Sequence, residues 1–322
     1  MIVSVTAPDG APEVRPGDDL VALLLPLVDL ADGDVLVVTS KVVSKAEGRL
    51  VPGLDREAAI AAEAVRVVAR RGATTIVRTR HGLTMAAAGV DNSNVEVGML
   101  VLLPLDPDAS ARRIRSAVAD RAGLNIGVVV TDTAGRAWRE GQTDIAVGAA
   151  GLTVLDDHAG RVDAHGNPLA VTAPAVADEI AGLAELASGK LGGRPFAVVR
   201  GRADLVLAAG DHGPGATALV RPEAGDLFGF GAREAVVRAL LGRDGDRAGF
   251  GAPAGADELA DAIRSVTGLD ARHEGVDLVV ATPPDVRLEL LAYAHGWSLV
   301  PPAGHGQDTV GNAEARIRPG TP

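Results

Sequence analysis

Two hard oxygen donors, Asp132 and Thr133, stand directly after a continuous apolar run at residues 126–130. An uninterrupted, β-branched run bounded by Gly123 and by Thr131 reads as a strand buried on both faces. Its end would lie at the rim of a sheet, where open α/β sheets bind ligands, and carboxylate and hydroxyl oxygens suit a divalent cation. Arg136 and Arg139 follow, flanking Trp138, with Gly135 and Gly141 allowing close approach of the backbone to a ligand. Their guanidinium groups suit a carboxylate or a phosphate. The same residues also fit a polar loop after a strand, with both arginines solvated and Trp138 in the core.

A second stretch, residues 39–49, follows the apolar run 35–38 and carries Thr39, Ser40 and Ser44 together with Lys41, Lys45 and Arg49. Hydroxyl donors and lysine point charges are phosphate-binding groups, although a lysine-bearing surface loop has the same composition. Asp91 and Asn94, three apart in a polar turn, can face one ligand or ion with their oxygens, and an Asx turn accounts for them as well. His158 and His165 among Asp156, Asp157 and Asp163 fit either a metal cluster or a solvated hairpin. Gly189-Lys190 has the look of a phosphate-loop ending, but Ala184 and Leu191 stand where that motif needs Gly and Ser or Thr. Residues 213–218 match only a relaxed dinucleotide fingerprint, with Pro214 between its glycines.

The elements that must hold these residues alternate between strands and helices, which gives an α/β fold with mixed, α+β-type sheets. Strands are expected at 2–6, 35–38, 74–77, 101–103, 126–130, 152–155, 162–171, 196–200 and 205–208. Helices are expected at 20–30, capped by Asp18 or Asp19, and at 56–71, 107–122 and 175–191. Beyond about residue 231 the composition shifts to a small α/β appendage: helix 233–241, a linker at 242–255, helix 257–267, strand 276–281, helix 284–295 and strand 297–300. Thr282 and Asp285 give the last helix a capping-box-like start. After Pro301 the chain is expected to fray.

Composition narrows the function. A chain of 322 residues can bury a real core in one large or two ordinary domains. Aromatics make up only 2% of it, so small aliphatic side chains must do the packing. A net charge of −11 argues against a general nucleic-acid binder, and any anion this chain handles needs local cations or a metal. The absence of cysteine excludes disulfides, thiolate nucleophiles and thiolate metal sites. The run at 20–30, broken by Pro26 and Asp29, is too short for a membrane span, and no secretory signal is visible, so a cytoplasmic protein without a membrane partner is expected.

Taken together, residues 12–20, 34–49, 87–94, 131–144 and 197–201 resemble the coenzyme F420:L-glutamate ligase family, also called F420-0:γ-glutamyl ligase. These stretches include Asp34-Val-Leu-Val-Val-Thr-Ser-Lys-Val-Val-Ser-Lys45 and Thr131-Asp-Thr-Ala-Gly-Arg-Ala-Trp-Arg-Glu-Gly-Gln-Thr-Asp144 and span residues 1 to 231, so the resemblance implies a ligase domain at 1–231 with the appendage at 232–322. It implies GTP-dependent ligation of L-glutamate onto coenzyme F420-0 through an acyl phosphate. By resemblance, Ala11, Pro12, Glu13, Val14, Ser40, Lys41, Lys45 and Asn94 would bind GTP. Asp91, Asp132 and Thr133 would hold divalent metal, with Asp211 completing a second site. The implied ions are two Mg²⁺ or Mn²⁺, with K⁺ admitted, and the implied assembly is a homodimer. The tail is too short for the nitroreductase-like domain that some relatives carry. Two other readings of the same residues are a GTP- and metal-binding regulatory protein without turnover, and a metal-dependent phosphohydrolase.

Overall fold

The computed structural model describes residues 1–53, 55–222, 225–226, 228–301 and 314–320. The chain divides into two compact units, Met1–Val220 and Arg221–Pro322.

The first unit is built on a five-stranded sheet. Its members are β1 (Ser4–Thr6), β2 (Val35–Thr39), β8 (Gly127–Arg136), β9 (Arg139–Ala150) and β10 (Phe196–Arg200), in the order β1-β10-β2-β8-β9. Only β2 and β8 run parallel, from Val35 opposite Gly127 to Thr39 opposite Thr131. Side chains alternate between faces along a strand. Leu36, Val38, Val128 and Val130 therefore pack under α1 (Leu20–Leu24), α2 (Ser40–Ala46) and α4 (Pro107–Ala122). Val35, Val37 and Val129 pack on the opposite face against α5 (Val176–Ser188). A strand covered on both faces has no polar position to spare, which is why its sequence is a continuous apolar run.

Between β2 and β8 the chain adds a small side structure. The strands β3 (Leu50–Pro52) and β7 (Met99–Val101) pair, and α3 (Arg56–Glu63) leads into the sheet β4 (Ala64–Arg71), β5 (Thr74–Thr79) and β6 (Thr84–Ala86). The helix expected over 56–71 thus stops at Glu63. Its second half carries Val65, Val67 and Val68, whose branched side chains favour a strand. Gly72, at φ +57°, supplies the left-handed residue of the turn that folds this strand back on β5.

Other expectations are corrected by the pairing. Residues 131–144 do not form a loop, because β8 continues through Arg136 and β9 returns from Arg139. Trp138 sits at the tip of that hairpin with φ +59° and is exposed, so it is not a core residue. Most of residues 39–49 forms the helix α2, Ser40–Ala46, in place of a surface loop. The strands expected at 152–155, 162–171 and 205–208 are reduced to single bridges, Leu152 with Val206 and Val162 with Pro168. Asp163 there accepts from the amides of His165 and Asn167, a solvated turn.

In the second unit, α6 (Ala232–Leu241), α7 (Ala256–Thr267) and α8 (Val286–Ala294) accompany a four-stranded antiparallel sheet of β11 (Ala271–Glu274), β12 (Asp277–Val280), β13 (Trp297–Leu299) and β14 (Ala315–Pro319). Asp285 caps α8 by accepting from the Leu288 amide. The strand β14 overturns the expectation of a frayed end: it lies between β12 and β13, and Ile317 is completely buried against Leu259, Leu278 and Leu288. The remainder of that expectation, at 302–313, lies outside the described residues.

Candidate active site

The parallel pair fixes the site. β2 and β8 are in register at Thr39 and Thr131, so the residues that follow emerge side by side at one edge of the sheet. β2 turns at once into α2, whereas β8 runs on as the hairpin with β9. Ser40 Oγ, on the first turn of α2, donates to Asp132 Oδ1 at 3.0 Å. Lys41 Nζ lies 2.6 Å from Asp91 Oδ2 and 2.5 Å from Ser93 Oγ. One helical turn further on, the buried Lys45 reaches out to Glu13 Oε1 at 2.5 Å, and that carboxylate is 70% exposed.

The loop carrying Glu13 is tied beside α2 at two points. Val14 is buried under α1 and α2, and the Gly17 amide donates to the Ala46 carbonyl at 2.8 Å. Ala11 is half-buried and Pro12 exposed. Asp91 is held by a bridge to Val101, and its Oδ1 accepts from the amides of Asn92 and Ser93. It is therefore an Asx-turn residue and an ion-pair partner at once. Asn94 follows with φ +56° and its side chain in solvent. Sequence reasoning passed over Ser93, whose hydroxyl donates to Asp91 while accepting from Lys41.

Strand alternation separates Asp132 from Thr133. Asp132 points to the α2 face, whereas Thr131 and Thr133 point to the α5 face, where both hydroxyls donate to Asp144 at 3.0 and 2.8 Å. Asp144 also went unremarked in the sequence. The structure pairs Thr133 with Asp144 across a hairpin whose polar residues also fit a loop. Lys190, just beyond the C-terminus of α5, donates to Thr133 Oγ1 at 3.2 Å.

The electrostatics follow from these partners. Burial pushes Asp132 up to about 7; Ser40 and Lys41 oppose the rise, while Asp144 and Asp91 add repulsion. Burial works against the charge on Asp91 as well, but Lys41 and Ser93 hold it down at about 2. Glu185 on α5 is raised by burial and by Asp144, against Lys190 and Lys41. The edge of the sheet thus carries a surplus of carboxylate charge among hydroxyl oxygens, a donor set that fits a hard divalent cation such as Mg²⁺ or Mn²⁺. Among the described residues no three His, Asp or Glu side chains converge on one point. Asp91 and Asp132 are turned instead to Lys41 and Ser40.

Three expected participants lie elsewhere. Asp211 is bound at the other end of β8: its carbonyl accepts from Arg115 Nη1 at 2.5 Å, and the same arginine donates to the Ile126 carbonyl just before the strand. Asp132 is six residues beyond Ile126, about 20 Å along an extended chain. Arg136 closes the hairpin by donating to the Glu140 carbonyl, and Arg139 stands exposed beside it.

Lysines, hydroxyls and carboxylates gathered at the end of a parallel strand pair are residue types that suit anionic ligands and hard cations. Residues 10–201 match the sequence model of the F420-0:Gamma-glutamyl ligase family, and the chain belongs to that family. Among similar proteins, one from Archaeoglobus fulgidus is 41% identical over 220 residues, which is 62% of this chain and 88% of that protein. One from Natronomonas pharaonis is 42% identical over 246 residues, 69% of this chain and 92% of that protein. One from Methanopyrus kandleri is 38% identical over 237 residues, 67% of this chain and 93% of that protein. Each bears the name coenzyme F420:L-glutamate ligase. No helix among the described residues is long and apolar enough to cross a membrane.

Proposed function

We propose that this chain ligates L-glutamate onto coenzyme F420-0, driven by GTP, as a cytoplasmic homodimer using two divalent ions, Mg²⁺ or Mn²⁺, with K⁺ admitted. The observation that carries the reading is the Ser40–Asp132 and Lys41–Asp91 pair of contacts at the sheet edge, in a chain of this family. Lys41, Lys45, Ser40, Asn94 and the loop at 11–14 hold the GTP phosphates, with the amine of Lys45 released from Glu13 to meet them. Asp91 and Asp132 hold the metal; Thr133, turned to the α5 face, and Asp211, at the other end of β8, are not assigned to this ion. Bound there, a divalent ion offsets phosphate charge and polarises the phosphoryl group.

The γ-phosphoryl group passes to a carboxylate oxygen of the coenzyme, forming a P–O bond as the bond to GDP breaks. The glutamate amine then attacks the activated carbonyl carbon, and inorganic phosphate leaves with the electron pair of the broken C–O bond and takes up the proton that the nitrogen loses as the amide forms. Lys41 and Lys45 counter the charge that develops on the phosphoryl oxygens.

Incubation with GTP, Mg²⁺, L-glutamate and the glutamate-free coenzyme, read by mass spectrometry, is expected to show added glutamyl units. GTP turnover without glutamate dependence would favour the hydrolase reading, and GTP binding without product would favour the regulator.

A further inference from the structure

Lys190 is the one residue from the rejected phosphate-loop signature that reaches the site. It is exposed, and its ammonium group rests on a neutral hydroxyl, Thr133 Oγ1, at 3.2 Å. The other lysines there are matched to carboxylates, Lys41 to Asp91 and Lys45 to Glu13. The loop that carries Lys190 is fixed to the same edge of the sheet, since the Pro195 carbonyl accepts from the Thr39 amide at 3.0 Å, immediately before Ser40. This cation therefore has a defined place and, among the described residues, no carboxylate at salt-bridge distance.

Its place is informative because the sheet separates it from α2. Ser40, Lys41 and Lys45 approach the strand ends from the α2 face, and Asp132 points to them. Lys190 approaches from the α5 face, on the side to which Thr133 and Asp144 point. Displacement at phosphorus keeps the attacking and leaving oxygens roughly in line, on opposite sides of the transferred group. With the nucleotide on the α2 side, the attacking carboxylate must come from the other. A carboxylate arriving there would meet the buried Asp144 and the half-buried Glu185, and needs a cation to enter.

We propose that Lys190 binds a substrate carboxylate on the α5 face, opposite the nucleotide, an assignment that rests on the ligase reading above. Its ammonium leaves Thr133 for the incoming carboxylate, and Thr133 keeps its own bond to Asp144.

The test compares Lys190→Gln and Lys190→Arg with the full-length wild type. Steady-state KM is measured separately for GTP, glutamate and coenzyme, and coenzyme binding is followed without GTP by its own fluorescence. For Lys190→Gln the KM of coenzyme or of glutamate is expected to rise about tenfold, the size of one charge-assisted contact, with the KM of GTP unchanged and with Lys190→Arg recovering most of the loss. A rise for coenzyme matched by weaker fluorescence binding assigns the acceptor carboxylate; a rise for glutamate alone assigns the incoming amino acid. A rise confined to GTP, a fall in kcat with every KM unchanged, or no effect would each overturn the proposal. Failure of the wild type itself to form product would instead overturn the ligase reading.

Discussion

Asp132 and Asp277 are both shielded carboxylates on sheet strands, and their surroundings treat them in opposite ways. Asp277, on β12 in the second unit, is only 4% exposed and accepts from Arg318 at 2.8 Å through each oxygen and from Arg316 at 3.1 Å. Arg318 above all, against burial and with Arg316 adding to it, holds its carboxyl at about 2. Asp132 has one hydroxyl partner and two carboxylate neighbours, and burial pushes it up to about 7. A carboxylate matched by guanidinium groups is finished as a structural part. One left short of positive charge is prepared for a ligand that brings some.

The contrast is sharpest in the substitutions. Asp132→Ala is expected to lower glutamyl transfer by about 10³-fold, the scale of losing a transition-state electrostatic contact. The assay is the mass-spectrometric one, with a thermal melt in chelator beside it. The melting temperature should not fall, because a repelled charge is removed. A large loss of stability would make Asp132 structural and break the comparison.

Asp108 supplies a structural counterpart inside the first unit. It accepts from the amides of Ala149, Ala216 and Thr217 and from the Thr217 hydroxyl, and a Cβ at Gly215 would lie 2.4 Å from its carboxyl. Asp108→Ala orphans those donors and is expected to cost about 3 kcal/mol in urea denaturation. A change below about 1 kcal/mol would show that water replaces them easily.

The pH dependences should run in opposite directions. The folded-state pKa of Asp277 lies below the value of about 3.9 for an unfolded chain. Its contribution is therefore present above pH ~4 and lost as pH falls toward about 2. Asp132 is raised, so in metal-free protein its contribution is present below pH ~4 and lost as pH rises through about 7. Asp277→Asn should flatten the acid limb, read by the fluorescence of the buried Trp297 in a Trp138→Phe background, and Asp132→Asn should flatten the limb near neutrality. The smallest effect belongs to Trp138→Ala. Exposed at a hairpin tip, this side chain should change stability by less than about 0.5 kcal/mol.

Much of this arrangement was legible in the sequence because its signals are local. Apolar runs mark β2 and β8, the helix expected at 107–122 is α4, and Ser40, Lys41, Lys45, Asp91 and Asp132 declare themselves by type. What was missed depends on partners distant in the chain. Nothing near Lys190 announces Thr133, which is 57 residues away. Arg115 reads as one more helix charge, yet it is buried and donates to the carbonyls of Ile126, Leu207, Ala208 and Asp211. The extension of β8 and β9 beyond the apolar run was hidden by polar residues that a two-stranded ribbon tolerates and a covered sheet does not.

Because its contacts link Glu13 to Lys45, Lys41 to Asp91, Ser40 to Asp132 and Thr133 to Lys190, the site has no local nucleus. Ser40 and Asp132 alone are 92 residues apart, so their meeting closes a long loop whose entropy must be offset by the sheet around it. Such non-local pairings form slowly and together. Activity therefore reports completion of the whole first unit, and refolding followed by returning activity should lag behind refolding followed by helix content.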